Sequence, residues 1–268
     1  MQSISILGCG WLGLPLAKHL IQKNYEIRGS TTSPNRISEL ESAGIEAFVI
    51  ALSPKSISGD YETFLQKSQT LIIDIPPKMR DENGESFVAK IKTFVQKGVV
   101  NSEIENVLFI SSTSVYGDDP ATVTEETSEK PTTQSGKELL ETEHFLQQQT
   151  SFKTTILRFG GLIGETRNPA KSLSGKKNIA SPKAPINLIH QEDCIAIIIE
   201  IIEQNFWGEK LNAVAPYHPS RKDYYSDKAT QLGIPLPEFE ENNASGKIID
   251  SSKLTEMLKY KFIHLKDI

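Results

Sequence analysis

A short alternating run, Ser3-Ile4-Ser5-Ile6-Leu7, leads directly into Gly8-Cys9-Gly10-Trp11-Leu12-Gly13. This junction constrains the fold more than any other stretch, because G-x-G-x-x-G between a strand and a helix suits few architectures. The first glycine permits a tight turn, the second lets a pyrophosphate approach the backbone, and the third lets helix and strand pack closely. The helix N-terminus then faces the anion. Leu12, Leu16 and Leu20 recur at four-residue spacing and mark one apolar helix face. Pro15 falls in the first helical turn, where its missing N–H costs nothing. Cys9 reads as a small packing residue rather than a redox centre. The bland alternative is a turn that joins strand to helix and binds nothing.

Beyond this turn, β-branched runs alternate with amphipathic stretches, the pattern of parallel strands joined by crossover helices. Strands are expected at Tyr25 to Gly29, Glu46 to Ala51, Thr70 to Ile75, Asn106 to Ser111 and Thr154 to Phe159. Helices are expected at Pro34 to Ala43, Glu85 to Val100 and Thr133 to Gln148, with a loop over Gly117 to Lys130. The fold class is therefore α/β, a Rossmann-type doubly wound parallel sheet. Residues 1–165 are expected to form a dinucleotide-binding domain and 166–268 a smaller C-terminal substrate lobe, of which 186–216 packs back onto the first. Thr166 to Pro185 is rich in Lys, Ser, Gly and Pro, and reads as a mobile loop over a site. A strand at Ile186 to Ile189, a helix at Glu192 to Ile202, a strand at Lys210 to Ala215 and two short helices complete the lobe.

The second strand decides between NAD and NADP, because an acidic residue about 20 residues past the turn would hold the ribose 2′-hydroxyl. Here the chain reads Arg28-Gly29-Ser30-Thr31-Thr32-Ser33, without a carboxylate. Hydroxyls at Ser30, Thr31 and Thr32 with Arg36 nearby suit a 2′-phosphate, so NADP is favoured over NAD; Arg28 and Arg36 as solvated surface charges are the alternative. The expected cofactor-binding set is Gly8, Gly10, Trp11, Leu12, Gly13, Ser30, Thr31, Thr32 and Arg36, with Ile75, Pro76 and Ser111 at later strand ends.

Composition narrows the partners. The 29 basic and 34 acidic residues leave a net charge of −5, which argues against a broad electrostatic grip on nucleic acid or an anionic membrane. Cys9 and Cys194 have no C-x-x-C spacing, so neither a disulfide framework nor a metal site is expected, and a reducing cytoplasmic setting fits. The greasiest run, Ile195 to Ile202, is too short to span a bilayer.

Phe109-Ile110-Ser111-Ser112-Thr113-Ser114-Val115-Tyr116-Gly117, at a strand end, resembles the S-S-x-x-V-Y-G segment of the extended and atypical short-chain dehydrogenase/reductase families, which include sugar-nucleotide epimerases and dehydratases. The resemblance covers essentially the whole chain. It includes Leu157-Arg158-Phe159-Gly160-Gly161-Leu162-Ile163-Gly164 and Asn187-Leu188-Ile189-His190-Gln191-Glu192-Asp193, which looks like the family's H-x-x-D segment. Ala215 to Arg221 and Gly246 to Asp250 look like an epimerase/dehydratase-like bacterial subgroup. The resemblance implies an NAD(P) cofactor, a small polar or sugar-like substrate and often a homodimer.

By position, Ser112 matches the family Ser/Thr that polarises the substrate oxygen, and Lys137 the lysine that holds the nicotinamide ribose. The family tyrosine then falls on Thr133. An aliphatic hydroxyl is a far weaker acid than a phenol, so Thr133 cannot serve as proton donor. Tyr116 is the nearest substitute in sequence; Tyr217, His218, Tyr224 and Tyr225 are others if the lobe folds over the site. Thr113-Ser114 stand where the dehydratases carry Asp-Glu, and Leu7 where extended members carry the first glycine. Two functions stay open: an oxidoreductase or epimerase with a degenerate triad, and a non-catalytic NADP-binding sensor or scaffold.

Overall fold

The computed structural model describes residues 2–77, 85–119, 121–241 and 246–265. Seven strands build the central sheet: β1 (Ser3–Leu7), β2 (Glu26–Thr31), β3 (Glu46–Val49), β4 (Ser68–Ile73), β5 (Asn106–Ser112), β6 (Lys153–Phe159) and β7 (Lys210–Ala213). Their spatial order is 3-2-1-4-5-6-7, and every pairing is parallel. This is the Rossmann-type doubly wound sheet expected from the alternation of strand and helix.

Side chains that alternate along each strand feed two separate cores. Ile4, Ile6, Ile72, Leu108 and Leu157 lie on one face with α1 (Gly13–Gln22). Leu7, Leu71, Ile73, Val107, Phe109 and Ile156 lie on the other. Both faces are covered, which explains why the strands read as nearly continuous apolar runs. Leu12, Leu16 and Leu20 are buried as their spacing predicts. Behind them packs α5 (Gln191–Glu203), whose six isoleucines are all buried. The opposite face carries α3 (Phe87–Lys97) and α4 (Gln134–Gln147); α2 (Ile37–Ser42) joins β2 to β3.

Several elements differ from the sequence expectation. The third strand stops at Val49, and Ala51–Leu52 instead pairs antiparallel with Ile57–Ser58, the reversal tied by Ser53 Oγ. The expected helix at Pro34 opens as a 3₁₀ turn, Pro34–Arg36, before α2. Ser86 caps α3 by accepting the Ala89 amide, so that helix starts at Phe87. Of the loop 117–130, position 120 lies outside the described residues, and Thr122–Val123 pairs with Ile248–Ile249.

The strand expected at Ile186 to Ile189 is Leu188–His190, and it pairs with Gly161–Ile163 outside the central sheet. Gly160 and Gly161 turn the chain off the sheet there; a Cβ on Gly160 would meet the Asn187 carbonyl oxygen at 2.6 Å. Thr166 to Pro185, expected as a loop, includes a helical turn at Ala170–Leu173. It is tied to the C-terminal part by Gly175 N–H to the Pro235 carbonyl and Ile179 N–H to the Glu238 carbonyl. The last helices are α6 (Arg221–Leu232) and α7 (Ser252–Leu258). Past α7 the tail docks on Asp193, which accepts from the Tyr260 hydroxyl and from the Ile263 and His264 amides. No helix of the described residues is long and apolar enough to cross a membrane.

Candidate dinucleotide crevice and substrate cavity

The strand order reverses direction between β1 and β4, and crossovers on either side of that point leave a crevice beyond the strand ends. The turn after β1 forms one wall and the segment after β4 the other. Gly8 adopts φ +109°, and a Cβ there would meet the Asp74 carbonyl oxygen at 2.3 Å. A Cβ on Gly13 would meet the Gly8 carbonyl oxygen at 2.2 Å, whereas one on Gly10 would meet nothing within 4 Å. Each glycine therefore has its own reason: conformation at Gly8, helix packing at Gly13, and an open approach at Gly10.

Ser30 closes the turn from β2, its hydroxyl accepting the Gly8 amide at 3.0 Å and its carbonyl the Cys9 amide at 2.8 Å. Arg36 Nη1 donates to the Cys9 carbonyl at 2.9 Å, and its Nε to Glu39 at 2.9 Å. The Trp11 and Leu12 amides have no protein acceptor among the described residues. They stand at the positive end of α1, which suits an anion. The crevice is lined by Gly8, Gly10, Ser30, Thr31, Thr32, Arg36, Asp74, Ile75 and Pro76, with Phe87 and Lys90 at its outer side. Cys9 is 1% exposed, and burial pushes its thiol up to about 12, so it packs against Gly29 and is not a nucleophile near neutral pH.

Asp74 escaped the sequence reading. Its carboxyl takes the Gly13 amide, supplying from β4 the cap that α1 lacks at its own N-terminus. Burial pushes this carboxyl up to about 8, against the lowering effect of the Gly13 hydrogen bond. Its signal in the sequence was an acid at a strand end, Ile73-Asp74-Ile75-Pro76, at the switch point of the sheet.

A second cavity lies farther along the strand ends. Ser111, Ser112, Thr113, Ser114, Tyr116, Thr132, Thr133, Gly160, Gly161, Arg167 and Lys247 line it. Ser112 accepts the Ser114 amide at 3.1 Å and starts a 3₁₀ turn that carries the chain around the cavity wall. Lys247 Nζ donates to the carbonyls of Thr113, Tyr116 and Gly117 at 3.3, 3.2 and 2.9 Å, bracing that turn from the C-terminal part. Arg167 lies over the Trp11 ring at 5.3 Å, and the Trp11 indole N–H donates to Thr166. These contacts join the glycine turn to the second cavity.

The candidate acids fare differently from expectation. Tyr116 is 1% exposed; its hydroxyl donates to Asn212 at 2.9 Å and accepts from Arg158 at 2.7 Å. Burial pushes the phenol up despite the opposing pull of Arg158, so the reading of Tyr116 as a substitute acid is corrected: it belongs to the core. Thr133 is the N-cap of α4, its hydroxyl accepting the Gly136 amide at 3.1 Å. That role was legible, since Thr is a preferred residue at a helix start. Lys137 is exposed on α4 and lines neither cavity. Ser111 donates to Glu143 at 2.5 Å, which fixes its hydroxyl inward. Tyr217, His218, Tyr224 and Tyr225 do not line the second cavity; burial pushes the Tyr224 phenol up to about 12.

Beneath the second cavity lies an ionic cluster that sequence reasoning missed, although Arg158 falls within the family-like segment Leu157 to Gly164. The Arg158 side chain is fully buried and donates to Glu143 at 3.1 and 2.5 Å and to Glu129 at 2.7 Å. Burial pushes the Glu129 carboxyl up, but hydrogen bonds from Arg158 and Lys210 outweigh it and hold the group at about 2. No cluster of residues suited to a metal ion occurs among the described residues.

A parallel doubly wound sheet, a glycine turn at its switch point and a hydroxyl-lined cavity beside it define a Rossmann-type protein with the fold of nucleotide-sugar epimerases and short-chain dehydrogenases. It resembles UDP-glucuronic acid 4-epimerase from Bacillus cereus in complex with NAD, with TM-score 0.79 and 19% identity over 98% of this chain and 94% of that one. A functionally unknown conserved protein from Silicibacter pomeroyi DSS gives TM-score 0.78 and 21% identity at the same coverage. A short-chain dehydrogenase/reductase superfamily protein from Agrobacterium tumefaciens with bound NAD gives 0.76 and 14%, over 99% and 94%. No family model matches the chain. The chain belongs to the family of Protein YeeZ from Escherichia coli K12, with which it is 32% identical over 266 residues, 98% of this chain and 96% of that protein.

Proposed function

We propose that this protein binds a nicotinamide dinucleotide along the strand ends and acts as an oxidoreductase or epimerase on a small polar substrate held in the second cavity. The observation that carries this reading is the pair of acceptor-free amides, Trp11 and Leu12, at the N-terminus of α1 beside the open approach at Gly10. The NAD of two proteins with this fold supports it. NADP is the preferred form, because β2 ends in hydroxyls with Arg36 at the crevice wall and offers no carboxylate to a 2′-hydroxyl.

Ser112 and Arg167 both line the second cavity; in this reading Ser112 polarises a substrate oxygen and Arg167 gives the cavity a positive side. The nicotinamide ring would supply hydride transfer when bound. In this reading the glycine turn and the start of α1 hold the dinucleotide, and Ser112 orients the substrate.

A second reading, a non-catalytic NADP-binding sensor or scaffold, draws on specific geometry: Thr133 is engaged as a helix cap, Tyr116 is buried, and exposed Lys137 lines neither cavity. Fluorescence titration with NADPH and NADH, followed by turnover of a panel of polar carbonyls and alcohols, separates the two. The enzyme reading expects micromolar dinucleotide binding and turnover that drops with Ser112→Ala. Binding without turnover in the wild type and in Thr133→Tyr favours the sensor, and no binding of either dinucleotide refutes both.

A further inference from the structure

Asp74 stands where the fold asks for something else. Its carboxyl takes the Gly13 amide at the first turn of α1, so a side chain occupies part of the positive helix end that a ligand diphosphate would use. The placement is tight: a Cβ on Gly13 would lie 3.2 Å from Asp74 Oδ2, and the Asp74 backbone presses against Gly8. A carboxylate here would confront a second anion, the diphosphate, at the same helix end, and like charges at close range repel. A protonated carboxyl reverses the sign of that contact, because its O–H can donate to a phosphate oxygen.

We propose that Asp74 couples dinucleotide binding to a proton: the diphosphate is accepted at the Gly8–Gly13 turn when this carboxyl is protonated and rejected when it is ionised. The inference rests on the dinucleotide reading of the crevice and deepens it. The surrounding groups leave Asp74 as the titrating partner near neutral pH. On the turn, burial holds the Cys9 thiol up at about 12, and on α5 burial holds the Cys194 thiol well above its ordinary value. The Arg36 guanidinium donates to the Cys9 carbonyl and to Glu39. Glu85 and Lys90, on the outer wall of the crevice, form an ion pair with each other at 2.8 Å. Half-buried Asp74, with its own carboxyl pushed up to about 8 by desolvation, is therefore divided between its two forms in the physiological range.

The test is a fluorescence titration with NADH from pH 6.5 to 9.5, a window in which the ligand itself carries no titrating group. Wild-type Kd is expected to weaken about thirtyfold between pH 7 and pH 9.5, as the requirement for one protonated group dictates. Asp74→Asn, which keeps size and polarity without ionising, is expected to bind with a Kd that changes less than about threefold over the same range. Calorimetry of NADH binding to the wild type in buffers of different ionisation enthalpy gives an independent reading that needs no variant, with uptake approaching one proton per ligand at pH 9. A flat wild-type profile, the same slope in Asp74→Asn, or no proton uptake overturns the inference while leaving the dinucleotide reading standing. Absence of NADH and NADPH binding at every pH overturns the dinucleotide reading itself, and the inference with it.

Discussion

Replacing Arg158 with methionine removes the cation at the centre of the buried cluster while keeping much of its volume. The guanidinium makes four hydrogen bonds, two to Glu143 and one each to Glu129 and the Tyr116 hydroxyl, and the side chains of Arg158 and Glu143 are both fully buried. After substitution Glu143 retains one donor among the described residues, the Ser111 hydroxyl. A buried charge stripped of its partner costs about 3–5 kcal/mol, a large share of the roughly 5–15 kcal/mol that holds a folded chain together. The expected result is a urea midpoint sharply lower than wild type, read by far-ultraviolet circular dichroism. Because the cost comes from the stranded carboxylate, Arg158→Met/Glu143→Leu should recover most of it, leaving a residual loss of about 1–2 kcal/mol, chiefly from the Ser111 hydroxyl, which loses its acceptor, while the Tyr116 hydroxyl keeps Asn212. A single variant that loses under about 1 kcal/mol, or a double variant whose loss equals the sum of the two singles, would refute this account of the cluster.

The two outer glycines of the turn divide cleanly from the middle one. Gly10→Ala should leave the thermal midpoint within about 2 °C of wild type, since its methyl meets open space, yet weaken NADH binding at least tenfold; Gly13→Ala should lower the midpoint as well, because its Cβ meets the Gly8 carbonyl. Equal behaviour of the two in both assays would contradict the roles assigned to them. Acid sensitivity follows from Glu129: its folded-state value lies below the unfolded one, so the stability it contributes is present above about pH 4.3 and is lost as pH falls toward 2. That acid-side slope should flatten in Arg158→Met. Asp74 has the opposite sign, its raised value meaning stability present below about pH 4 and lost as pH rises through about 8, so ligand-free Asp74→Asn should exceed wild type in thermal midpoint at pH 9 but not at pH 4. Asp193→Ala should release the C-terminal tail and speed tryptic cleavage after Lys259 and Lys261, an effect visible by mass spectrometry while the remaining chain stays intact.

How much of this was legible without coordinates depends on the range over which each cause acts. The glycine turn, the apolar face of α1 and the strands flanking β4 and β5 rest on patterns of two to seven residues, and the chain itself carries these. Their type and order specify the doubly wound sheet, since parallel strands with intervening helices close in few ways. Thr133 as a helix cap was readable on the same local grounds.

The site's working parts depend instead on residues brought together across long separations, where spacing carries no information. Asp74 and Gly13 meet because β1 and β4 are neighbours at the switch point. Arg158 gathers Glu129, Glu143 and Tyr116, and Lys247 reaches back from near the C-terminal end of the chain to brace the turn after Ser112. Tyr116 shows the division most plainly. The chain places a tyrosine four residues past Ser112, but only packing decides that its phenol turns into the core toward Asn212 and Arg158, where desolvation removes it from proton chemistry. The sequence by itself determined the fold class and the place of the glycine turn, because both follow from short-range periodicity and backbone sterics. Tertiary structure alone decided which polar groups face the crevice and which way burial shifts them, because burial and charge neighbours are properties of the assembled protein.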